Sequence, residues 1–207
     1  AASNGRNVAM FVFDETKKSL FARSASLGMD LHALVDKGSL SVQQVDPAEL
    51  PPGEFANVVR DCVEHENVSM VVIDSLNGYL NAMPAESYLM LHLHELLTFL
   101  AERGVATIIV LAQHGLIGAG MTSAADVSYL ADCVIMLRYF ETDGEILKAI
   151  SVLKKRSGMH EKSIRQFELS SSGIHVGEPL KHFRGILSGI PTLNTIIDKV
   201  ASETGSA

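Results

Sequence analysis

Two apolar runs of the chain end on carboxylates. Val71-Val72-Ile73 runs into Asp74-Ser75, and Phe11-Val12-Phe13 runs into Asp14-Glu15-Thr16. A strand buried on both faces delivers its last residues to the C-terminal edge of a parallel sheet, where open α/β sheets bind their ligands. There Asp74 suits a magnesium ion, held directly or through water. Of the adjacent pair, one acid can orient or deprotonate a water molecule while the other, Glu15, supports the same ion. The plainer alternatives are a helix cap for Asp74 and helix-dipole chemistry for Asp14 and Glu15, since acids favour a first helical turn. Two acidic strand ends in one sheet weigh more than either alone.

Other stretches are less specific. Gln113 follows the apolar run Ile108 to Ala112. Its amide can contact a terminal phosphate or place a water, although a polar residue merely leaving a strand is the simpler account. Lys154-Lys155-Arg156, with His160 and Lys162 close behind, reads either as a solvated face or as a cationic finger that neutralises phosphate charge in a neighbouring subunit. His92 and His94 sit two apart on a helical stretch and face different ways, which is poor metal geometry. Gly115 to Thr122 has the outline of a phosphate-binding loop, but Met121 stands at the lysine position. It reads instead as a mobile loop facing a partner or pore, and no other stretch fits G-x-x-x-x-G-K-[ST].

These residues need a scaffold. Strands are predicted over 7–13, 39–45, 70–73 and 105–112. Helices are predicted over 15–27, 54–64 and 85–103, the last with Leu89, Leu93, Leu96, Leu97 and Leu100 on one face. Gly28 and Gly104 are natural helix stops. Beyond the glycine-rich stretch the pattern changes to a meander of strands over 133–140, 145–153 and 164–169, with Asp143-Gly144 as a hairpin turn. The expected class is therefore α/β: a mostly parallel sheet with helices on both faces, extended by C-terminal antiparallel strands. Residues 1–178 are expected to form the domain, and 179–207 a C-terminal extension of weak periodicity.

Bulk properties narrow the function. Of the 207 residues, 47% are hydrophobic, enough for a sizeable core. The net charge of -7 disfavours a general electrostatic grip on nucleic acid. Cys62 and Cys133 match no metal spacing and read as free, buried thiols of a reducing compartment, so a cytoplasmic location is expected. No window has the length of a membrane span. Ala1 to Arg6 carries no signal peptide and reads as a helix end and a turn cut from something longer.

In order and spacing, FVFDET, LGMDL, VVIDSLN, the long run ADCVIMLRYFETDGEILKAISVLKKRSGMHEKSIRQFEL, and FRGILSGIP resemble the KaiC branch of the RecA superfamily, from the first residues to about Pro191. The resemblance implies a RecA-like P-loop NTPase core. Its first strand, phosphate loop and Mg²⁺-binding Ser/Thr would lie just upstream of Ala1, and their absence would expose apolar sheet edges. It further implies ATP and Mg²⁺ as ligands, bound between subunits of a homo-oligomeric, hexameric ring. By position, Asp14 and Glu15 match the paired catalytic glutamates, the first shortened to Asp, and Asp74 matches the Walker B aspartate. Lys154 and Arg156 match basic residues that reach the γ-phosphate of the adjacent subunit, with His160 and Lys162 nearby and Lys148 at another basic contact. Leu27 replaces an aromatic residue near the base. Ser128 and Tyr129 stand where the clock protein's second domain phosphorylates itself on Ser and Thr, so the loss of the Thr argues against that output.

The expected activity of the intact parent is that of an ATPase, or of a Ser/Thr autokinase, working in signalling with a protein partner. The isolated chain is expected to be inactive. One rival is a non-catalytic scaffold that keeps the ring interface. A second is a RecA/RadA-type DNA-binding ATPase, which the acidic balance disfavours.

Overall fold

The computed structural model describes residues 1–82, 88–112 and 128–187, together with the backbone of 192–193. Gln113 and the Gly115–Thr122 stretch lie outside the described residues. Two compact units emerge, one containing Ala1–Ala112 and the other the described residues from 128 onward.

The first unit is built on a four-stranded, all-parallel sheet in the order β2-β1-β3-β4, with β1 Asn7–Val12, β2 Leu40–Gln44, β3 Val68–Asp74 and β4 Ala106–Ile109. β1 and β3 are uncharged until the last residue of β3 and are buried on both sides, as central parallel strands require. On one face, Ala9, Phe11, Val71 and Ile73 pack under two helices, α3 Pro52–His65 and α5 Leu89–Glu102, which contribute Phe55, Val59, Leu96 and Leu100. On the other face, Val8, Val12, Leu40 and Val42 meet Leu20 of helix α1 Lys17–Ser26 and the partly buried Leu31 and Leu34 of α2 Leu31–Asp36. Each fully buried Leu or Phe contributes roughly 1.5–3 kcal/mol. β4 is an edge of this sheet, and Ile108 and Val110 are exposed there.

The predicted elements of this unit are present, with shifted ends. α1 starts at Lys17 because Thr16 is the cap, its hydroxyl accepting from Ser19 N at 3.2 Å. The expected start of the long helix at 85–87 falls outside the described residues. Two short helices escaped the sequence reading: α2, capped by Asp30, and α4 Asn77–Ala82. Six residues carry too little periodicity to stand out from a loop. Ala2–Asn4 form one 3-10 turn that Gly5 closes in the left-handed region at φ 78.

The second unit is an antiparallel sheet in the order β5-β6-β7-β8: β5 Cys133–Thr142, β6 Glu145–Lys155, β7 Arg165–Ser170 and β8 Gly173–Pro179. The Asp143-Gly144 turn has positive φ at both positions, 52 and 77, as a two-residue hairpin of this hand requires. β8 was not anticipated; its GIHVGEP pattern is largely exposed. The weak periodicity after Pro179 hides a packed segment. Ile186 is 1% exposed and shares a core with Phe140 and Ala149, against which Leu180 and Phe183 also pack. Among the described residues, no helix is long and apolar enough to cross a membrane.

Candidate functional site

β1 and β3 are direct neighbours, and Val12 stands opposite Asp74. Phe13 N donates to Asp74 O at 2.8 Å, so the ladder continues to the last residue before the acid pair. One residue further on, Ser75 Oγ donates to Asp14 Oδ2 at 2.5 Å. The two acidic strand ends are thus stitched together by backbone and side chain, although Asp14 and Ser75 are 61 positions apart in sequence. The third strand end is tied in by Asn77, whose Nδ2 donates to Ala112 O at 2.9 Å while its Oδ1 accepts from Ala112 N at 2.7 Å. Ser75 and Asn77 are both buried.

The helix-dipole alternative does not account for the acid pair. Thr16 caps α1, and no acid lies in its first turn. Glu15 instead forms an ion pair with Arg23, near the far end of the same helix. Burial pushes the Asp74 carboxyl above the usual Asp range; the Glu15 charge adds to this, Arg23 opposes it, and Asp14 adds a smaller push. A carboxylate with two acids at its back is a natural place for a cation. Its oxygens are hard donors of the type Mg²⁺ prefers. Among the described residues, however, no group of three or more His, Cys, Asp or Glu converges to hold a metal. The arrangement therefore fits an ion that brings most of its own oxygens as water and phosphate, with Asp74 as a protein ligand and Glu15 in support.

The platform beneath the acids is aromatic. Phe13 packs edge-on against Phe55 at 5.5 Å and Tyr79 at 4.9 Å, and the Tyr79 hydroxyl donates to Leu50 O at 2.7 Å. Burial pushes the Tyr79 phenol above its ordinary value. Gly78 lets this cluster close, because a Cβ there would lie 2.7 Å from Phe13 Cβ.

In the second unit, the basic residues fall at the end of β6 and in the loop that follows. Lys154 Nζ donates to Ser128 O at 2.9 Å. Arg156 donates to Tyr129 O at 3.1 Å and pairs with Asp132 at 3.1 Å, while its backbone N donates to Asp132 O at 2.7 Å. Lys148 sits opposite Tyr139 in the hairpin, His160 is half-buried and Lys162 is exposed. Glu161 closes the loop. Its carboxylate accepts from Ser163 N and Oγ and from Arg165, and the Ser163 bonds, followed by the Arg165 bond, pull it down to about 2.

Sequence reasoning did not single out Ser75, Asn77, Gly78 or Arg23. The first three are polar or minimal residues placed directly after an apolar strand, which is a faint signal. Arg23 left none, since its partner lies eight residues away on a non-helical position.

A parallel sheet with helices on both faces, acids at two adjacent strand ends and an antiparallel continuation define a RecA-like α/β core. The family model described as "ATPase: KaiC" matches residues 1–181, and the chain belongs to that family. Among curated relatives, it is 28% identical over 189 residues to the circadian clock protein KaiC3 of Synechocystis sp., a match covering 91% of this chain and 37% of the relative. It is 23% identical over 195 residues to the circadian clock oscillator protein KaiC of Thermosynechococcus vestitus, covering 94% and 38%. Against the KaiC of Synechococcus elongatus it is 23% identical over 199 residues, covering 96% and 38%. The chain thus spans well under half the length of these relatives. The resemblance to the KaiC branch is confirmed.

Proposed function

We propose that this chain supplies the acidic strand ends and the trans-acting basic residues of an ATP site formed between subunits of a homo-oligomeric ring. The observation that carries this reading is the stitching of Asp14 to the end of the Asp74 strand through Ser75. That bond places two carboxylates of different environment at one sheet edge. Asp14 or Glu15 takes the proton of the attacking water, a role worth about 10²–10⁴ in rate. Asp74 holds Mg²⁺, with Glu15 in support; the ion, when bound, neutralises charge on the phosphate oxygens. Gln113, outside the described residues, contacts the γ-phosphate or its water in this reading. Lys154 and Arg156 reach the γ-phosphate of the neighbouring subunit, with Lys148, His160 and Lys162 completing the basic surface. A cation acting in this way contributes about 10³–10⁵ in rate. No stretch of this sequence fits G-x-x-x-x-G-K-[ST], so the reading requires a phosphate-binding loop contributed elsewhere in the assembly. Residues 1–178 form the ATPase domain of this reading, in a cytoplasmic protein with a signalling partner. If the phosphoryl group goes to a side chain instead of water, Ser128 is the acceptor.

The carbonyl of Ser128 already binds Lys154, and Asp132 binds Arg156. These ties favour a second reading, a ring scaffold without turnover, in which both cations stay at home. Phosphate release by the assembled protein containing this chain separates the two. Arg156→Ala is expected to remove most turnover while the fold survives; undiminished turnover in the assembled variant would sink the trans role. The 207-residue chain alone is expected to bind Mg-ATP weakly or not at all by calorimetry, and micromolar affinity would overturn the need for an external loop.

A further inference from the structure

Arg23 reaches back along two turns of α1 to pair with Glu15, which stands before the helix begins. Glu15 is held at 25% side-chain exposure by a guanidinium that is itself 55% exposed. Ordering so long a side chain costs entropy, and an isolated pair at this exposure adds little stability. Its surroundings set it apart from an ordinary surface pair. Asp14, Glu15 and Asp74 put three negative charges at one sheet edge, and among the described residues Arg23 is the cation paired with any of them. The other cations of α1 turn elsewhere: Lys17 and Lys18 line an open hollow with Phe21, Ala22, Ala25 and His32. Arg23 is also felt at Asp74, where it opposes the upward push of burial and of Glu15.

We propose that Arg23 is a positioning residue of the acidic site, a tethered cation that engages Glu15 so that a divalent ion arriving at Asp74 must compete with a guanidinium for that carboxylate. This rests on the cation role of Asp74 given above. Arg23 thereby sets how tightly the strand ends take up metal, and it keeps Asp14, held by Ser75, distinct from its neighbour. When the ion wins Glu15, Arg23 is released from the start of α1, so metal occupancy is coupled to the anchoring of that helix.

The test uses Mn²⁺ as the probe, titrated with ATP into the assembled protein containing this chain at low ionic strength and read by the electron paramagnetic resonance signal of the free ion, corrected for Mn²⁺ held by ATP in solution. Arg23→Ala is expected to tighten uptake about three- to tenfold, the order of effect Coulomb's law gives for one positive charge removed from the neighbourhood of a divalent ion near the surface. Arg23→Lys keeps the charge and stays near the parent. Glu15→Gln added to Arg23→Ala removes the gain. Unchanged or weaker uptake in Arg23→Ala, or a gain that survives Glu15→Gln, overturns the proposal. A merely structural staple would lower thermal stability in Arg23→Ala without tightening Mn²⁺. If Asp74→Asn abolishes uptake but Arg23→Ala leaves it alone, the Arg23 assignment falls by itself. If no variant shows uptake that depends on Asp74, the cation role of Asp74 falls with it.

Discussion

Gly78→Ala tests whether the aromatic platform positions the acids. A Cβ at residue 78 would lie 2.7 Å from Phe13 Cβ, 2.9 Å from Cδ1 and 3.0 Å from Cγ. Carbon atoms prefer roughly 3.5–4.0 Å, so about 0.8 Å of separation must be found. The ring cannot supply it, because the closest atom is Phe13 Cβ, fixed to the backbone at the end of β1. The other side of the ring is blocked by Phe55 and by Tyr79, whose hydroxyl is tied to Leu50. Overpacking of this kind costs about 1–3 kcal/mol. Replacing Gly by Ala in a helix returns up to about 1 kcal/mol, less at the second residue of a short one. The net expectation is a loss of about 1–2 kcal/mol and a midpoint lower by about 2–8 °C in a chain of this size. Because Asp14 follows Phe13 directly, faster amide exchange is expected in peptides covering β1 and residues 68–80. Gly53→Ala is the control. Its Cβ would meet His92 at an ordinary 3.6 Å, so it should leave stability equal or slightly raised. Urea titration followed by circular dichroism, with exchange read by mass spectrometry, gives both quantities. Gly78→Ala as stable as the parent, with unchanged exchange in β1, would refute the reasoning.

Two further expectations concern charge. Asp74 is held above its ordinary range by burial and then by Glu15, so its ionised form opposes folding. That opposition is absent below the unfolded value of 3.8 and grows as pH rises through the higher folded value. Asp74→Asn should therefore raise stability at neutral pH slightly, by about 0.2–0.5 kcal/mol for one like charge removed, while abolishing turnover in the assembled protein; a drop in thermal stability would contradict the assignment. Glu161 is shifted the other way, from 4.5 to about 2, so its stabilisation of the 156–165 loop is full above 4.5 and lost as pH falls toward 2. The protection of the Ser163 amide, taken relative to its intrinsic exchange rate at each pH, should fall over that window in the parent and already be lost at pH 7 in Glu161→Gln.

The central strands were legible because burial on both faces writes itself as an uninterrupted apolar run. That Asp14 and Asp74 stand at strand ends was legible because each charge closes an apolar run. The Asp143-Gly144 hairpin was legible from two residues, since its backbone demands positive φ. What stayed hidden depends on distant partners. Nothing local to Ser75 announces that its hydroxyl will meet a carboxylate 61 positions away, or that Asn77 will clamp the backbone of Ala112. Gly78 is unremarkable until Phe13 is placed over it. β8 escaped because a strand exposed along most of its length has no alternation to read. Lys154 and Arg156 were visible as charge, but their attachment to Ser128, Tyr129 and Asp132 was not.

The register of the two sheets also sets an order of events. β5 and β6 are joined by a two-residue turn, and their pairing needs only local closure, which hairpins achieve in about 1–10 μs. The acidic strand ends meet only after a loop of some sixty residues has closed and a parallel pair has registered, with β2 on its other flank. Parallel pairings of such separation are slow. On refolding of the complete chain the basic strand is therefore shaped early and the acidic edge late, so the cations form a surface before the carboxylates share a pocket. Stalling between the two steps would leave a cationic hairpin beside unpaired apolar strands, the species from which misassembly of this chain should begin.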